Sequence, residues 1–150
     1  MNIRKVITGH DVHGNSMIDV DENVSETIRI PDVPGWEYAT VALTPADFVL
    51  PSITPPAPVD VGLSPGATQF AMWRLPPVEN GANPAGMHAT DTVDYIFIVE
   101  GGVSMIMDDG SEVELRQGDC VVQNGTRHEW VNRTSEDCLM AVVMVGVGRS

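Results

Sequence analysis

The stretch that decides the fold runs from Met87 to Gly101 and reads MHATDTVDYIFIVEG, and a second stretch, GDCVVQNGTRHEWVN, runs from Gly118 to Asn132. Each combines a β-rich run with one histidine among polar neighbours. Strand pairing between the two stretches would place His88, Asp94 and His128 around one point. Two neutral imidazoles and one carboxylate suit a divalent transition metal. The sequence therefore predicts a metal site held by His88, His128 and Asp94.

Outward from these stretches, the pattern predicts an all-β chain. Short β-branched or aromatic runs are separated by Gly, Pro, Asn and Asp, and no window shows sustained apolar recurrence at helical spacing. The turn at Asp109-Gly110 predicts a hairpin between VSMIM and EVELR. Many short strands at near-regular spacing are typical of a sandwich or barrel. We expect strands near residues 2–8, 26–30, 36–43, 68–75, 86–90, 93–100, 102–107, 112–116, 119–123, 128–132 and 138–146.

Two of these strands are apolar on both faces. They read YIFIV at 95–99 and LMAVVMV at 139–145, whereas the strand at 112–116 alternates charged with apolar residues. A strand that is apolar on both faces needs cover on both sides. The N-terminal segment or a second subunit could cover the outer side, and we expect a homodimer.

The composition restricts the classes of partner. The chain has 150 residues, with 21 acidic against 8 basic side chains and a formal net charge of −13. Such a chain repels phosphate backbones and anionic lipid, so we expect neither a nucleic-acid nor a membrane partner. The N-terminus MNIRKVITG lacks the apolar run of a secretory signal, which favours a cytoplasmic location. We expect Cys120 and Cys138 to be buried, reduced thiols.

A proline-rich segment separates the N-terminal strands from the rest. Residues 44–65 contain six prolines in 22 residues, so the segment cannot pair as a central strand. We interpret it as an ordered surface loop, either packed against the outside of a sheet or acting as a lid over a pocket. The chain is expected to form one domain, 1–150, in which 1–65 supplies N-terminal strands and this loop, and 66–146 forms a barrel.

The first quoted stretch resembles the first motif of the cupin family. In that motif a glycine and a His-x-His pair are followed by a glutamate and an apolar strand that ends in glycine. Here His88 falls where the first histidine belongs, and Gly101 closes the strand. Thr90 stands in the position of the second histidine, and Asp94 stands in that of the glutamate. The chain thus keeps two histidines and a shorter carboxylate, where a family site usually has three histidines and one glutamate.

The second stretch resembles the second cupin motif, with Gln123 in place of the turn proline. The resemblance, over roughly residues 66–146, implies a small single-domain cupin: a double-stranded β-helix, or jelly-roll barrel, with an N-terminal strand extension. Both motifs also resemble one subgroup of small cupins, some of which lie near secondary-metabolite pathways. The residues that match the second motif at family spacing are Gly118, Asp119, Gly125, His128 and Asn132.

Several further side chains are candidates at the same site. If Asp94 is not a ligand, it is a hydrogen-bonded side chain or a general base, and Asp91 is an alternative carboxylate. Thr90 shares the face of His88 by strand periodicity, so its hydroxyl could hold a water or a substrate. The catalytic candidates are therefore Asp94, Asp91 and Thr90.

Three other residues are candidates for the substrate pocket, namely Gln123, Trp130 and Tyr95. Trp130 shares its strand face with His128, so it could form a pocket wall or pack in the core.

These features favour a metal-dependent enzyme acting on a small molecule inside the barrel. A divalent ion (Fe, Mn, Ni or Zn) would polarise an oxygen of an organic acid, a keto compound or an oxygenated aromatic or polyketide-like substrate. Decarboxylation, dehydration, cyclisation or isomerisation would follow. Two alternatives remain open: a non-haem Fe(II) dioxygenase, because two histidines and a carboxylate also form a facial triad, and a non-catalytic small-molecule-binding cupin.

Overall fold

The described residues of the protein form eleven β-strands. The computed structural model describes residues 1–24, 27–29, 35–50, 63–78 and 85–148. These ranges contain no helix, so the all-β fold predicted from the sequence is confirmed. The strands are β1 (Arg4–His10), β2 (Ser16–Asn23), β3 (Ile28–Arg29), β4 (Glu37–Thr44), β5 (Thr68–Leu75), β6 (Thr92–Glu100), β7 (Gly102–Met107), β8 (Glu112–Arg116), β9 (Cys120–Asn124), β10 (His128–Val131) and β11 (Cys138–Gly146).

Two antiparallel sheets enclose the core. One has the order β3-β4-β5-β11-β6-β9 and the other the order β10-β7-β8, while β1 and β2 form a separate hairpin. The strands alternate, so that every second side chain points between the two sheets. In β6, for example, Ile96 and Ile98 are buried whereas Tyr95 and Phe97 are exposed. The core cluster comprises Trp36, Leu75, Ile96, Ile98, Val103, Leu115, Trp130, Cys138, Met140 and Val142.

The β7–β8 connection is the hairpin expected from Asp109-Gly110. Gly110 has a φ of +82°, a left-handed conformation that glycine adopts without strain. The backbone N–H of Met107 donates to the carbonyl of Ser111 at 2.8 Å, and this bond closes the loop. Gly101, with a φ of +74°, makes the tighter turn between β6 and β7.

Two strand predictions were wrong. The strand β2 was not predicted, because its acidic residues interrupt the apolar pattern; it pairs with β1, and Arg4 bonds Asp21 across the hairpin at 2.7 Å. Residues 86–90 were predicted to be a strand, but only His88 pairs there, in an isolated bridge to His128. The backbone of this segment therefore joins the sheet at a single residue.

The outer face of the six-stranded sheet carries exposed aromatic side chains. Tyr95 is 52% exposed and Phe97 is 45% exposed. The described residues therefore do not fully cover the outer face of the strand that carries YIFIV (95–99). A second subunit that covers this face remains a prediction. Cys120 lies opposite Phe97 on the same sheet and is exposed, which corrects the expectation of two buried thiols; Cys138 is buried.

The proline-rich segment and membrane-spanning helices were also considered in the sequence. The proline-rich loop lies outside the described residues over 51–62, so its role as a lid or as outer packing is still a prediction. Among the described residues, no helix is long and apolar enough to span a membrane.

Candidate functional site

The two predicted histidines lie side by side. The backbone N–H of His88 donates to the carbonyl of His128, and the N–H of His128 donates to the carbonyl of His88, each at 2.9 Å. The centroids of the two imidazole rings are 4.7 Å apart, with the ring planes tilted by 52°. The two sequence stretches thus meet at their histidines. There a pair of backbone hydrogen bonds joins the loop that carries His88 to β10.

Asp94 enters the same region from β6. Strand alternation directs Thr92, Asp94 and Ile96 to the interior, and Asp94 is only 3% exposed. Its Oδ1 atom has no hydrogen-bond partner among the described residues. Burial raises the pKa of the Asp94 carboxyl, against the lowering effects of a hydrogen bond from Thr92 and of the charges on His128 and His88. A buried carboxylate with an unpartnered oxygen is costly in free energy, which is typical of functional sites.

A chain of two hydroxyl groups leads to this carboxylate. The Oγ1 atoms of Thr90 and Thr92 are 2.7 Å apart, and the Thr92 side chain bonds Asp94. Since the Thr92 hydroxyl has one proton to give to Asp94, it accepts the proton of Thr90. Thr92 was not singled out from the sequence, although the spacing T-x-T-x-D places all three side chains on one face of an extended chain.

Gln123 lies beside Asp94 in the sheet and bonds the segment that carries His128. It lies opposite Asp94 in the β6–β9 register and is 2% exposed. Its Oε1 accepts the N–H of Gly125 at 2.7 Å, and its Nε2 donates to the carbonyl of Thr126 at 2.7 Å. The same Nε2 lies 2.6 Å from Nδ1 of His128. Gln123 is therefore a neighbour of the histidine and also part of the structure of the turn.

The surroundings of His128 lower its basicity. Burial lowers the pKa of the imidazole, and the charge of His88 lowers it further. The hydrogen bond to the backbone of Thr126 and the charge of Asp94 act in the opposite direction, but their effects on the pKa are smaller. In the described part of the chain, neither Glu129 nor Asn132 bonds the ring of His128. Asn132 instead donates to the carbonyls of Leu75 and Glu136, and so holds the loop after β10.

Trp130 is also brought to this side of β10. It is fully buried within the core cluster, and its ring packs edge-on against His128 with centroids 5.7 Å apart. Its Nε1 atom lacks a hydrogen-bond partner in the described structure. Trp130 therefore packs in the core and also presents a buried donor. Core packing and a place in a pocket wall, the two interpretations made from the sequence, are compatible.

Two candidates lie away from this cluster. Tyr95 follows Asp94 directly and so points to the opposite face of β6, where half of its surface is exposed. This position corrects its assignment to the pocket. Asp91 is exposed in the bend before β6, and its backbone carbonyl accepts the N–H of Val147. The gathered set is therefore His88, Asp94, Gln123, His128 and Trp130, with Thr90 and Thr92 beside Asp94.

The donor set does not fit a three-ligand metal centre as it stands. Within residues 1–24, 27–29, 35–50, 63–78 and 85–148, no group of three His, Cys, Asp or Glu side chains is spaced to hold a metal ion. Thr90 occupies the position where the family motif has its second histidine. In addition, Nδ1 of His128 is engaged by Gln123 and Thr126. The imidazole pair and Asp94 thus form a polar cluster without the second histidine of the family motif.

A separate surface cavity lies elsewhere, on the β7–β8 pair. It has a volume of about 280 Å³ and includes none of the gathered residues. Arg133 at its edge donates to Ser104 at 3.1 Å and also bonds Glu112. These polar groups are already paired with each other, so the cavity shows no unsatisfied chemistry of the kind found at Asp94.

Comparisons with known proteins agree with this architecture. The chain is 31% identical over 138 residues to phomopsin biosynthesis cluster protein C′ of Diaporthe leptostromiformis, covering 87% of this chain and 70% of that protein. It is 45% identical over 58 residues to the cupin-domain-containing oxidoreductase srdD of Neurospora crassa, covering 39% of this chain but only 30% of that protein.

A solved structure shares the fold. The plu4264 protein of Photorhabdus luminescens superposes with a TM-score of 0.51 at 13% identity, covering 80% of both chains. The family model for the cupin domain matches residues 71–145, which is the region from β5 to β11. The chain therefore belongs to the cupin family, with the double-stranded β-helix that its two histidine-bearing stretches indicate.

Proposed function

We propose that this cupin is an enzyme that moves a proton on a small organic substrate held between its two sheets. The substrate would be an organic acid, a keto compound or an oxygenated aromatic or polyketide-like molecule. The reaction would be a decarboxylation, dehydration, cyclisation or isomerisation. The observation that carries the proposal is the unpartnered Oδ1 of Asp94, buried near the imidazoles of His88 and His128.

Burial prepares these groups for proton transfer. It raises the pKa of Asp94 and lowers that of His128, so it favours the neutral form of both. The pKa of Asp94 thereby moves toward neutral pH, as a general acid or base requires, while the lowered pKa of His128 keeps its imidazole neutral. The hydroxyl of Thr92 bonds the carboxylate, and the hydroxyl of Thr90 bonds that of Thr92.

The unsatisfied atoms also point to a polar ligand. Oδ1 of Asp94 is a buried acceptor and Nε1 of Trp130 is a buried donor, and neither has a partner in the described structure. Buried polar atoms are normally paired, with protein, water or ligand. A small molecule that carries both hydroxyl and carbonyl groups would offer the partners that these atoms lack.

The setting of this activity is proposed to be secondary metabolism. This rests on the similarity to a protein named for the phomopsin biosynthesis cluster, over 87% of the chain. A second candidate is an oxidoreductase, supported by the 45% identity with srdD over 58 residues. The metal-dependent form of the enzyme, and the Fe(II) dioxygenase in particular, remain proposals, since the described residues do not supply three ligands.

Two measurements separate these proposals. Elemental analysis of the purified protein, with His88→Ala and His128→Ala beside it, tests for metal: a stoichiometric ion lost by both variants would support the metal-dependent form. A panel of keto acids, hydroxy acids and phenolic substrates, assayed with and without O₂, tests for turnover. We expect Asp94→Asn to abolish turnover and Asp91→Asn, an exposed neighbour, to retain it. Ligand binding without turnover of any substrate would identify a binding protein instead.

A further inference from the structure

The outer face of the six-stranded sheet carries two uncharged rows of side chains. The register of the strands β5, β11, β6 and β9 aligns Phe70, Val143, Tyr95 and Val122 in one row. The aromatic rings of Phe70 and Tyr95 are 37% and 52% exposed, and Val122 is 55% exposed. The second row lies two residues further along each strand and consists of Met72, Ala141, Phe97 and Cys120.

These two rows, which we call the aromatic face, expose enough area to mark an interaction site. The three aromatic side chains alone expose roughly 270 Å², at about 200 Å² for a whole ring residue. With the five remaining side chains, two copies packed on this face would bury on the order of 1,000 Å². That area is at the lower limit for a specific interface, so it fits a dimer that forms in a concentration-dependent manner.

Large and small side chains alternate from strand to strand across the aromatic face. The strands β5 and β6 each contribute two large side chains, whereas β11 and β9 each contribute two small ones. The face therefore has two ridges and two grooves, and they run along the strands. Since protein surfaces in stable contact pack closely, a matching partner needs ridges opposite these grooves.

We propose that the aromatic face is the site at which two copies of this chain pack together, about a two-fold axis that runs along the strands between β11 and β6. Such an axis reverses the order of the strands. It places β6 of one copy over β11 of the other, and β5 over β9. Each ridge then meets a groove, so the face is complementary to itself, as an interface with two-fold symmetry requires. The strands of the two sheets stay nearly aligned, which is a common arrangement of packed sheets.

The charge of the chain also favours a second copy over another partner. Each copy has a formal net charge of −13, so two copies repel each other except where uncharged surfaces meet. A partner attracted by the acidity of the chain would bind where its acidic side chains lie. Neither row of the aromatic face contains a charged residue. The face therefore suits a copy of itself.

Sedimentation velocity of the full chain tests the proposal. Between about 1 and 100 μM we expect an equilibrium of monomer and dimer. Val122→Glu places a charge in the contact and should raise the dissociation constant at least about 10-fold. The matched control is Val6→Glu, because Val6 is also a strand valine and is 48% exposed, but lies in the separate β1–β2 hairpin. It should leave the dissociation constant unchanged.

Ala141→Trp tests the fit of ridges and grooves. The substitution adds apolar surface but fills the groove of β11, so it should weaken the dimer, whereas nonspecific apolar association would become stronger. Circular dichroism checks that each variant is folded. If Ala141→Trp does not fold, the comparison of Val122→Glu with Val6→Glu decides.

Cys120 gives an independent readout because it is exposed and belongs to the aromatic face. Its reaction with a thiol reagent should slow as the protein concentration rises through the dissociation constant. A chain that stays monomeric up to about 100 μM would overturn the proposal. Equal effects of Val122→Glu and Val6→Glu, tighter association of Ala141→Trp, or a Cys120 labelling rate that does not change with concentration would also overturn it.

Discussion

His88 and His128 exchange two backbone hydrogen bonds of 2.9 Å, and these bonds place the imidazoles beside each other. The bridge joins two loop-flanked segments that are forty residues apart in the sequence. Because the main chain makes the bridge, it does not depend on either side chain. A substitution at His88, which is only half-buried, therefore removes one imidazole and leaves the other at its place.

Thr92→Val should weaken the support of Asp94 with little change in shape. The substitution removes the hydroxyl that bonds the carboxylate and the Thr90 side chain. The hydrogen bond from Thr92 lowers the pKa of Asp94, so its loss should move that pKa further upward. We also expect a loss of about 1–2 kcal/mol in the free energy of unfolding, because buried polar atoms lose their partner. Carbon-13 NMR titration of the Asp94 carboxyl and urea unfolding measure the two effects.

The matched control is Thr92→Ser, which retains the hydroxyl. It should keep the pKa of Asp94 near that of the native protein. If Thr92→Val and Thr92→Ser gave the same carboxyl titration, the hydrogen bond between Thr92 and Asp94 would not be what holds the pKa down.

Gly101→Ala should be strongly destabilising. Gly101 has a φ of +74°, and a Cβ atom there would clash with the backbone oxygen of Asp137. The strain of the left-handed conformation and the clash with the main chain together should cost about 2–4 kcal/mol. Gly110→Ala is the control, since its φ is +82° but nothing lies within 4 Å of its Cβ position. It should cost about 1 kcal/mol; equal losses in chemical denaturation would refute the role of the Asp137 contact.

The sequence predicted most strands because their apolar pattern coincides with their burial. From β5 to β11, the apolar pattern and the glycines at turns are local features of the sequence, and the observed strands and turns agree with them, as at Gly110. The strand β2 escaped prediction because its stability depends on cross-strand partners such as Arg4 and Asp21, which a local pattern does not reveal.

The site was only partly predictable for a similar reason. Motif spacing was enough to single out His88, Asp94 and His128, which the fold brings together. Tyr95 was assigned to the pocket although its position next to Asp94 places it on the other face of β6. The role of Gln123 could not be anticipated, because it depends on the β6–β9 register and on the turn at Gly125.

The two cysteines should differ sharply in reactivity. Cys138 is buried, and burial raises the pKa of its thiol to about 11. Cys120 is exposed on β9. Since the thiolate is the reactive form, a thiol reagent at pH 8 should label one cysteine in the native protein and both in denaturant. Cys120→Ser should abolish the native labelling, and labelling that persists in this variant would show that Cys138 is accessible.

Glu37→Gln should destabilise the protein in a pH-dependent manner. Glu37 is 9% exposed, and the guanidinium of Arg74, which also bonds Asp137 at 2.6 Å, donates to it at 3.1 Å. This hydrogen bond holds the pKa of Glu37 below its ordinary value of 4.5. Removing the charge should cost about 1–3 kcal/mol in the free energy of unfolding at pH 7.

The sign of the pH dependence follows from the lowered pKa of Glu37. The stabilisation is fully present above the unfolded-state pKa and is lost as the pH falls through the lower folded-state value. The difference between the native protein and Glu37→Gln should therefore shrink from pH 7 toward pH 3 in denaturant titrations. Glu114→Gln is the control, because Glu114 and Arg116 form an exposed pair whose loss should change stability by less than about 0.5 kcal/mol. A Glu37→Gln effect that is constant with pH would exclude the ion pair as its source and attribute it to packing around the side chain.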